Sequence, residues 1–413
     1  MKKLRIYISA KLSLMMLFQH MMFAVWWVPF AAYLANINVT GIQNALMLSS
    51  MAIGCMFSPL VGMLADRYYR GEKILSLLNF LNALFLFLAG LTSNHVFMFV
   101  ELLLAMVCYM PTWALTSSIA MTHAPSDIFP RIRVFGSIGW VASGLFSVIM
   151  VKAFGIKFDG TNTPFFLGAA VSFIAGISNL NLPATPPLAK GEKSSFIDAF
   201  GLRTLKLMSK RNFSVFIILS FLSVIPFAMY WSYCSEFLQD QGFEFISITM
   251  NWGQLAEMLI LVTLPFSIKK VGLRNTMAIG LIALLIRYFS FYTGIWSGLN
   301  AGYYIGILVH GFIFGYFYVG GQIYIDKEAP PGVKSQAQGF IFLVTFGLGL
   351  LVGNFVSRQV IEIYSWGEAG IEGYNWIEIW RMTTLMSLII LLSYLYFFKD
   401  KRNGDHIGLE AKK

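Results

Sequence analysis

The chain has 413 residues, of which 57% are apolar, 16% aromatic and only 12% charged. A soluble domain carries about 25% charged residues, so this composition excludes a soluble enzyme, a disordered chain and a nucleic-acid binder. The formal net charge of +10 therefore has to be read through its distribution along the chain. Apolar stretches of the length a helix needs to cross a bilayer core, about 20 residues, recur near 10–36, 42–65, 74–92, 96–122, 132–155, 163–182, 212–238, 246–267, 275–294, 301–325, 335–364 and 376–398. They predict an all-α membrane protein of twelve spans, numbered here in that order. Turn-forming links such as Asn38-Val-Thr-Gly41 and Thr92-Ser-Asn-His95 separate them. The first span follows a basic start, but it is too long for the apolar region of a signal peptide and lacks a small-residue cleavage site. It is expected to remain in the protein. Cys55, Cys108 and Cys234 all sit in apolar runs without metal-ligand spacing, so they read as buried hydrophobes, and no metal or cofactor is expected.

Orientation follows from Lys and Arg in the connections. Lys152, Lys157, Arg358 and Arg381 fall on one side and Arg133 and Arg287 inside spans; all the others fall on the opposite side, together with both termini. That basic side is predicted to be cytoplasmic. The one long polar connection, with Pro183, Pro186, Pro187, Gly191 and a basic amphipathic stretch from Phe196 to Met208, divides the spans six plus six. The expected organisation is an N-terminal half over 1–182, a cytoplasmic linker over 183–211, a C-terminal half over 212–399 and a cytoplasmic tail over 400–413.

Between spans two and three lies Gly62-Met-Leu-Ala-Asp66-Arg67-Tyr-Tyr-Arg70-Gly71. It resembles the major facilitator signature in its expected place. Gly62 permits close helix approach, Asp66 at a helix end can meet a neighbouring helix N-terminus, and Arg67 and Arg70 offer charge-assisted bonds. Together they are expected to form a conformational latch. Ile268-Lys-Lys-Val-Gly272-Leu-Arg274-Asn, the corresponding connection of the second half, is a degraded echo of it, as a parallel repeat predicts.

Charge inside a span is costly and marks function by default. Arg133, Ser137 and Trp140 are spaced i, i+4, i+7 and share one helix face; a guanidinium, a hydroxyl and a large aromatic suit a polar, planar solute. The plainer reading has Arg133 snorkelling to the cytoplasm. Gln254 and Glu257, at i and i+3, share a face of span eight, and an ion pair of Glu257 with Arg133 or Arg287 is the structural alternative. Arg287 has no same-helix polar partner and reads as structure or gating. His310 and Phe314 lie in a Gly- and aromatic-rich tenth span, His310 being a candidate proton site or a packing residue. Gln19, His20, Trp26 and Trp27 form a polar-aromatic set in span one.

Nearly the whole chain resembles the bacterial nucleoside:proton symporter family of the major facilitator superfamily. The resemblance is carried by Tyr109-Met-Pro-Thr112, Ile132-Arg-Val-Phe-Gly-Ser-Ile-Gly139, Gln254-x-x-Glu257 and the run Asp326-Lys-Glu-Ala-Pro-Pro before Ser335-Gln-Ala-Gln-Gly339. It implies that Arg133, Ser137, Trp140, Gln254, Glu257, His310 and Phe314 contact a nucleoside. Ser137 replaces the family's Thr, Trp140 its Phe and His310 its Tyr. Gly315 stands where the family has the Asp thought to take the coupled proton, which leaves Glu257 and His310 as the proton-coupling candidates. The amides of span seven give way to apolar and aromatic residues around Phe227 to Trp231. The implied function is nucleoside import by alternating access and proton symport at the cytoplasmic (inner) membrane, by a monomer with substrate, protons and lipid as partners and no nucleic acid. An uncoupled facilitator and a carrier of sugars or another polar metabolite are the alternatives. The chain has no HExxH, no Ser/His/Asp set and no phosphate-binding loop, so no enzyme activity is expected.

Overall fold

Polar backbone cannot face lipid unbonded, and the chain answers with helix almost throughout. A computed structural model describes residues 2–124, 128–187, 200, 202–330, 334–366 and 373–399, apart from the side chains of 2–5, 66, 67, 130, 203 and 334–336. Residues 188–199 and 201 of the linker and the 400–413 tail lie outside the described residues.

Each expected span is present. The first is Lys2–Trp27 followed by Phe30–Asn36; the second is Gly41–Leu48 and Ser50–Arg67; the third is Gly71–Leu91. The fourth, His95–Tyr109, starts under the Asn94 side chain, which accepts from the Val96 and Phe97 amides at 3.0 and 3.2 Å. It breaks at Pro111 before Thr112–His123. The fifth, Phe129–Phe154, has Pro130 in its first turn and ends on Gly155 at φ +65°, a left-handed position that suits glycine. The sixth is Thr163–Leu180, the seventh Arg211–Asp240, the eighth Ile246–Val271 and the ninth Leu273–Ser297.

Spans ten and eleven are less regular. The tenth runs as Ala301–Leu308, His310–Phe312, a π-helical stretch Ile313–Val319 and Gly320–Glu328. The eleventh runs as Lys334–Phe342, a second π-helical stretch Leu343–Gly349 and Leu350–Ile363, and Trp376–Phe397 is the twelfth. Two features went unforeseen: the 3-10 segment Leu202–Ser209, and a short antiparallel pair, Ser365–Trp366 with Gly373–Tyr374, before the last span. Among the described residues, eleven of the spans are long and apolar enough to cross a membrane. The eighth has the length, but Asn251, Gln254, Glu257, Lys269 and Lys270 lower its hydropathy.

The helices sort into two compact units. The first holds Met1–Phe200, Ala228–Asn251 and Phe346–Arg358; the second holds Gly201–Phe227, Trp252–Thr345 and Gln359–Lys413. In the first, span one runs along span five, so closely that a Cβ on Gly139 would strike the Leu17 carbonyl. Span three lies along span six, pinned by Asn82 Nδ2 on Ser172 Oγ at 2.8 Å and Ser76 Oγ on the Gly176 carbonyl at 2.7 Å. In the second unit the ninth span packs on the twelfth in the same manner, with Tyr288 stacked on Trp380 at 5.8 Å and Arg274 donating to the Leu395 and Phe398 carbonyls. All three cysteines are buried free thiols.

Candidate functional site

Two polar-aromatic clusters carry the residues singled out in the sequence, one in each unit. In the first unit, the guanidinium of Arg133 and the His20 ring meet over Gly136, where an added Cβ would lie 2.6 Å from Arg133 Nη1 and 2.8 Å from the imidazole. Arg133 stays exposed, Ser137 is half-buried and Trp140 is buried. Phe23 is the hub of the aromatics: it stacks on Tyr109 at 4.8 Å and Trp27 at 5.2 Å and meets Trp140 edge-on at 5.8 Å. Trp140 in turn lies 6.1 Å from Trp231, and His20 lies 6.1 Å from Trp113. Trp113 therefore joins the cluster without having been singled out, and Trp231 joins it from the aromatic run expected in place of the span-seven amides. Both sit in apolar runs where an aromatic reads as core. The Tyr109-Met-Pro-Thr112 motif serves packing: the Tyr109 hydroxyl donates to the Gln19 carbonyl at 2.8 Å, and the Gln19 amide donates to Thr112 Oγ1.

In the second unit, Gln254 and Glu257 face His310 across a close helix contact. A Cβ on Gly311 would lie 2.7 Å from the Ala256 carbonyl, and one on Gly253 would lie 3.2 Å from His310 Cβ. Glu257 Oε2 stands 3.5 Å and Gln254 Nε2 3.3 Å from His310 Nε2. The imidazole stacks with the rings of Phe227 at 6.2 Å and Phe314 at 6.0 Å. Arg287 does have a polar partner, on another helix: its Nη2 is 2.9 Å from His310 Nδ1, and its Nε donates to the Gly306 carbonyl at 3.0 Å. Gly315 is one turn further on. A Cβ there would touch Leu261 at 3.3 Å and Ile260 at 3.8 Å, so the nearest neighbours of this position, matched to an Asp by the resemblance, are apolar side chains.

At the basic end, Arg70 Nε pairs with Glu72 Oε1 at 2.5 Å. The other Glu72 oxygen accepts from the Thr185 amide at 2.8 Å, and the Gly71 amide donates to the Thr185 carbonyl at 3.0 Å. Glu72, buried and overlooked in the sequence, thus ties the loop after span two to the start of the linker. Among the described residues, a Cβ on Gly62 would meet nothing within 4 Å. The side chains of Asp66 and Arg67 lie outside the described residues.

At the opposite end, Asp159 is buried. Its carboxylate accepts from Ser147 Oγ at 2.6 Å, from the Ser247 amide at 3.2 Å and from the Ser247 hydroxyl. Burial raises its pKa above the usual carboxylate range, against the pull of those hydrogen bonds. Nearby, Asn36 and Gln239 exchange amide hydrogen bonds at 2.8 and 3.3 Å. Asn354 accepts from Ser232 at 2.7 Å and donates to the Leu48 carbonyl at 2.9 Å. Among the described residues, no group of three or more His, Cys, Asp or Glu is placed to hold a metal ion.

Known proteins share both sequence and fold with this chain. It is 33% identical over 404 residues to YegT of Escherichia coli strain K12, a nucleoside transporter by provisional assignment, covering 96% of this chain and 95% of that one. It is 26% identical over 413 residues to the nucleoside permease NupG of the same organism, covering 95% and 96% of the two chains. A crystal structure of nucleoside transporter NupG superposes with a TM-score of 0.83 at 25% identity, over 95% of this chain and all of that one. The fold is the twelve-span major facilitator fold. Residues 6–403 match the model of the nucleoside H+ symporter family, and the chain belongs to that family.

Proposed function

We propose that the protein imports nucleosides across the cytoplasmic membrane by proton symport, using alternating access of two six-helix halves, 1–182 and 212–399, joined by the linker 183–211 and followed by the tail 400–413. The observation that carries this reading is the Gln254–Glu257–His310 cluster. Three polar side chains converge inside membrane spans, where such groups are retained for a task. One of them is a carboxylate whose proton can be exchanged. A nucleoside offers ribose hydroxyls, a hydrogen-bonding base edge and a flat face. Gln254 and Glu257 suit the hydroxyls or the base edge, Trp140 and Phe314 suit the face, and Arg133, Ser137 and His310 complete the polar contacts. Glu257 and His310 are the groups able to exchange the coupled proton, and the Gly62, Asp66, Arg67 and Arg70 segment acts as the cytoplasmic latch. The protein works as a monomer embedded in lipid and needs no cofactor, and its role is transport without catalysis.

The second reading is an uncoupled facilitator, favoured by Gly315 in the position of the family's Asp. Uptake of labelled uridine and adenosine into proteoliposomes, with and without an inward proton gradient, separates the two. Gradient-driven accumulation supports symport. Equal, non-concentrative uptake establishes a facilitator, and uptake of neither nucleoside rejects the substrate assignment.

A further inference from the structure

Arg287 is completely buried in the ninth span, and a guanidinium there must be held by acceptors. Among them are the Gly306 carbonyl, at 3.0 Å from Nε, and His310 Nδ1, at 2.9 Å from Nη2. A guanidinium only donates and does not lose its proton in proteins, so Nδ1 is the acceptor in this bond and carries no hydrogen. The imidazole is then neutral, with its hydrogen on Nε2, the nitrogen that faces Glu257 Oε2 at 3.5 Å and the Gln254 amide at 3.3 Å. An Nε2–H cannot accept from an amide NH2. The Gln254 oxygen therefore turns to the ring, since the two amide ends are exchangeable by rotation, and its NH2 faces away from the imidazole.

We infer that Arg287 is a positioning residue for proton coupling: it fixes His310 as the neutral Nε2–H tautomer, so that Glu257 alone takes up and releases the coupled proton. The inference rests on the symport reading and narrows it from two candidate groups to one. A second proton on His310 would have to enter at Nδ1, setting two N–H donors against each other and a second cation beside a buried one. The remaining candidate is Glu257. Ionised, it accepts the Nε2–H; protonated by water from the outer side, it becomes a donor and leaves the imidazole N–H to another acceptor, until the proton passes to water on the inner side. The charged and titratable groups seen near His310 include Arg287 from span nine, Glu257 from span eight and Tyr318 from its own span. Span seven contributes the Phe227 ring and Ser223, which meets the Tyr318 hydroxyl at 3.4 Å.

The test is 15N NMR of the full chain, labelled at histidine, in lipid bilayers. The chain has five histidines, and the His310 resonances are those that vanish in His310→Gln. The expected result is one protonated Nε2 and one bare Nδ1, unchanged between about pH 5 and 8, the range in which an ordinary histidine changes charge. In Arg287→Gln the ring should gain a second proton within that range, and Arg287→Lys, which keeps a donor, should restore the single form. An imidazolium or an Nδ1–H tautomer in the wild-type chain at neutral pH overturns the inference, and this arm stands even if Arg287→Gln fails to fold. In proteoliposomes, His310→Gln should still accumulate uridine on a proton gradient, more slowly, whereas Glu257→Gln, which also alters a proposed substrate contact, should exchange uridine at a reduced rate and lose gradient-driven accumulation altogether. A His310→Gln protein that exchanges without accumulating also overturns the inference. Absence of nucleoside uptake by the wild-type protein instead rejects the substrate reading, while the NMR result still decides the tautomer.

Discussion

Trp140 and Ser137 lie one turn apart on the same helix face yet promise contacts of different strength. Trp140 packs its ring against Phe23 and Trp231 and can present the rest of its surface to a flat base. Such aromatic pairing is worth about 0.5–1.5 kcal/mol beyond area burial, so Trp140→Ala should raise the half-saturating uridine concentration about two- to tenfold. Ser137→Ala removes a single neutral hydrogen bond, of about 1 kcal/mol, and should cost about fivefold. Exchange assays over a range of uridine concentrations decide both; an unchanged Trp140→Ala would assign the ring to packing alone. Gly315 invites the opposite substitution. Placing a carboxyl there by Gly315→Asp would press its Cβ against Leu261 and Ile260, and a polar group left unpaired against apolar side chains costs about 1–3 kcal/mol. The expected outcome is a lower melting temperature without a new proton site, measured as thermal unfolding in detergent. At this scale the sequence was informative where a polar group interrupts an apolar run, as at Glu257 and Arg133. It could not reveal the Arg287–His310 bond, because helical spacing pairs residues within one span and says nothing of partners on another.

The eighth and tenth spans show what an element contributes. Their separation is set by Gly253 and Gly311, and it brings the Glu257 carboxylate near the His310 ring. Gly311→Ala would put a methyl carbon 2.7 Å from the Ala256 carbonyl, too close to be absorbed without moving backbone. Overpacking of this kind costs about 1–3 kcal/mol, and it should widen the Glu257–His310 gap and abolish gradient-driven accumulation before it abolishes folding. Accumulation and melting temperature, measured on the same preparation, separate the two effects. The span limits themselves were legible, since hydropathy and the Gly, Pro and Asn punctuation fix where a helix enters and leaves lipid. The π-helical stretches at Ile313–Val319 and Leu343–Gly349 were not. Each is an extra residue accommodated within a turn by packing against neighbouring helices, with no signature in composition. π-bulges are frequent at functional sites, and the first of these two carries Phe314 and Gly315.

The packing of the whole molecule adds something that a count of spans does not contain. The later part of span seven, the start of span eight and the middle of span eleven join the six N-terminal spans in one compact unit. The bonds that hold them there lie at the end assigned as external: Asp159 on Ser247, Asn36 on Gln239, and Asn354 on Ser232 and Leu48. Alternating access requires this closure to open. Because burial raises the Asp159 pKa and opening would return it to the ordinary range, closing takes up a proton. Closure is therefore favoured in acid and loses that advantage as pH rises through the raised value. A cysteine at position 239 should accordingly be labelled faster by a membrane-impermeant maleimide as the external pH rises, and Asp159→Asn, which keeps an acceptor oxygen but cannot titrate, should flatten that dependence. The same contacts offer a mechanical test. With Asn36 and Gln239 both replaced by cysteine, a short bifunctional thiol reagent should join them, since the native side chains already exchange hydrogen bonds, while the buried Cys55, Cys108 and Cys234 stay unreacted. If transport proceeds by opening of this end, the cross-link should stop both uptake and exchange of uridine, and a cleavable reagent should restore them on reduction. Full transport by the cross-linked protein would mean that this end stays closed throughout the cycle, and that substrate enters without parting these contacts.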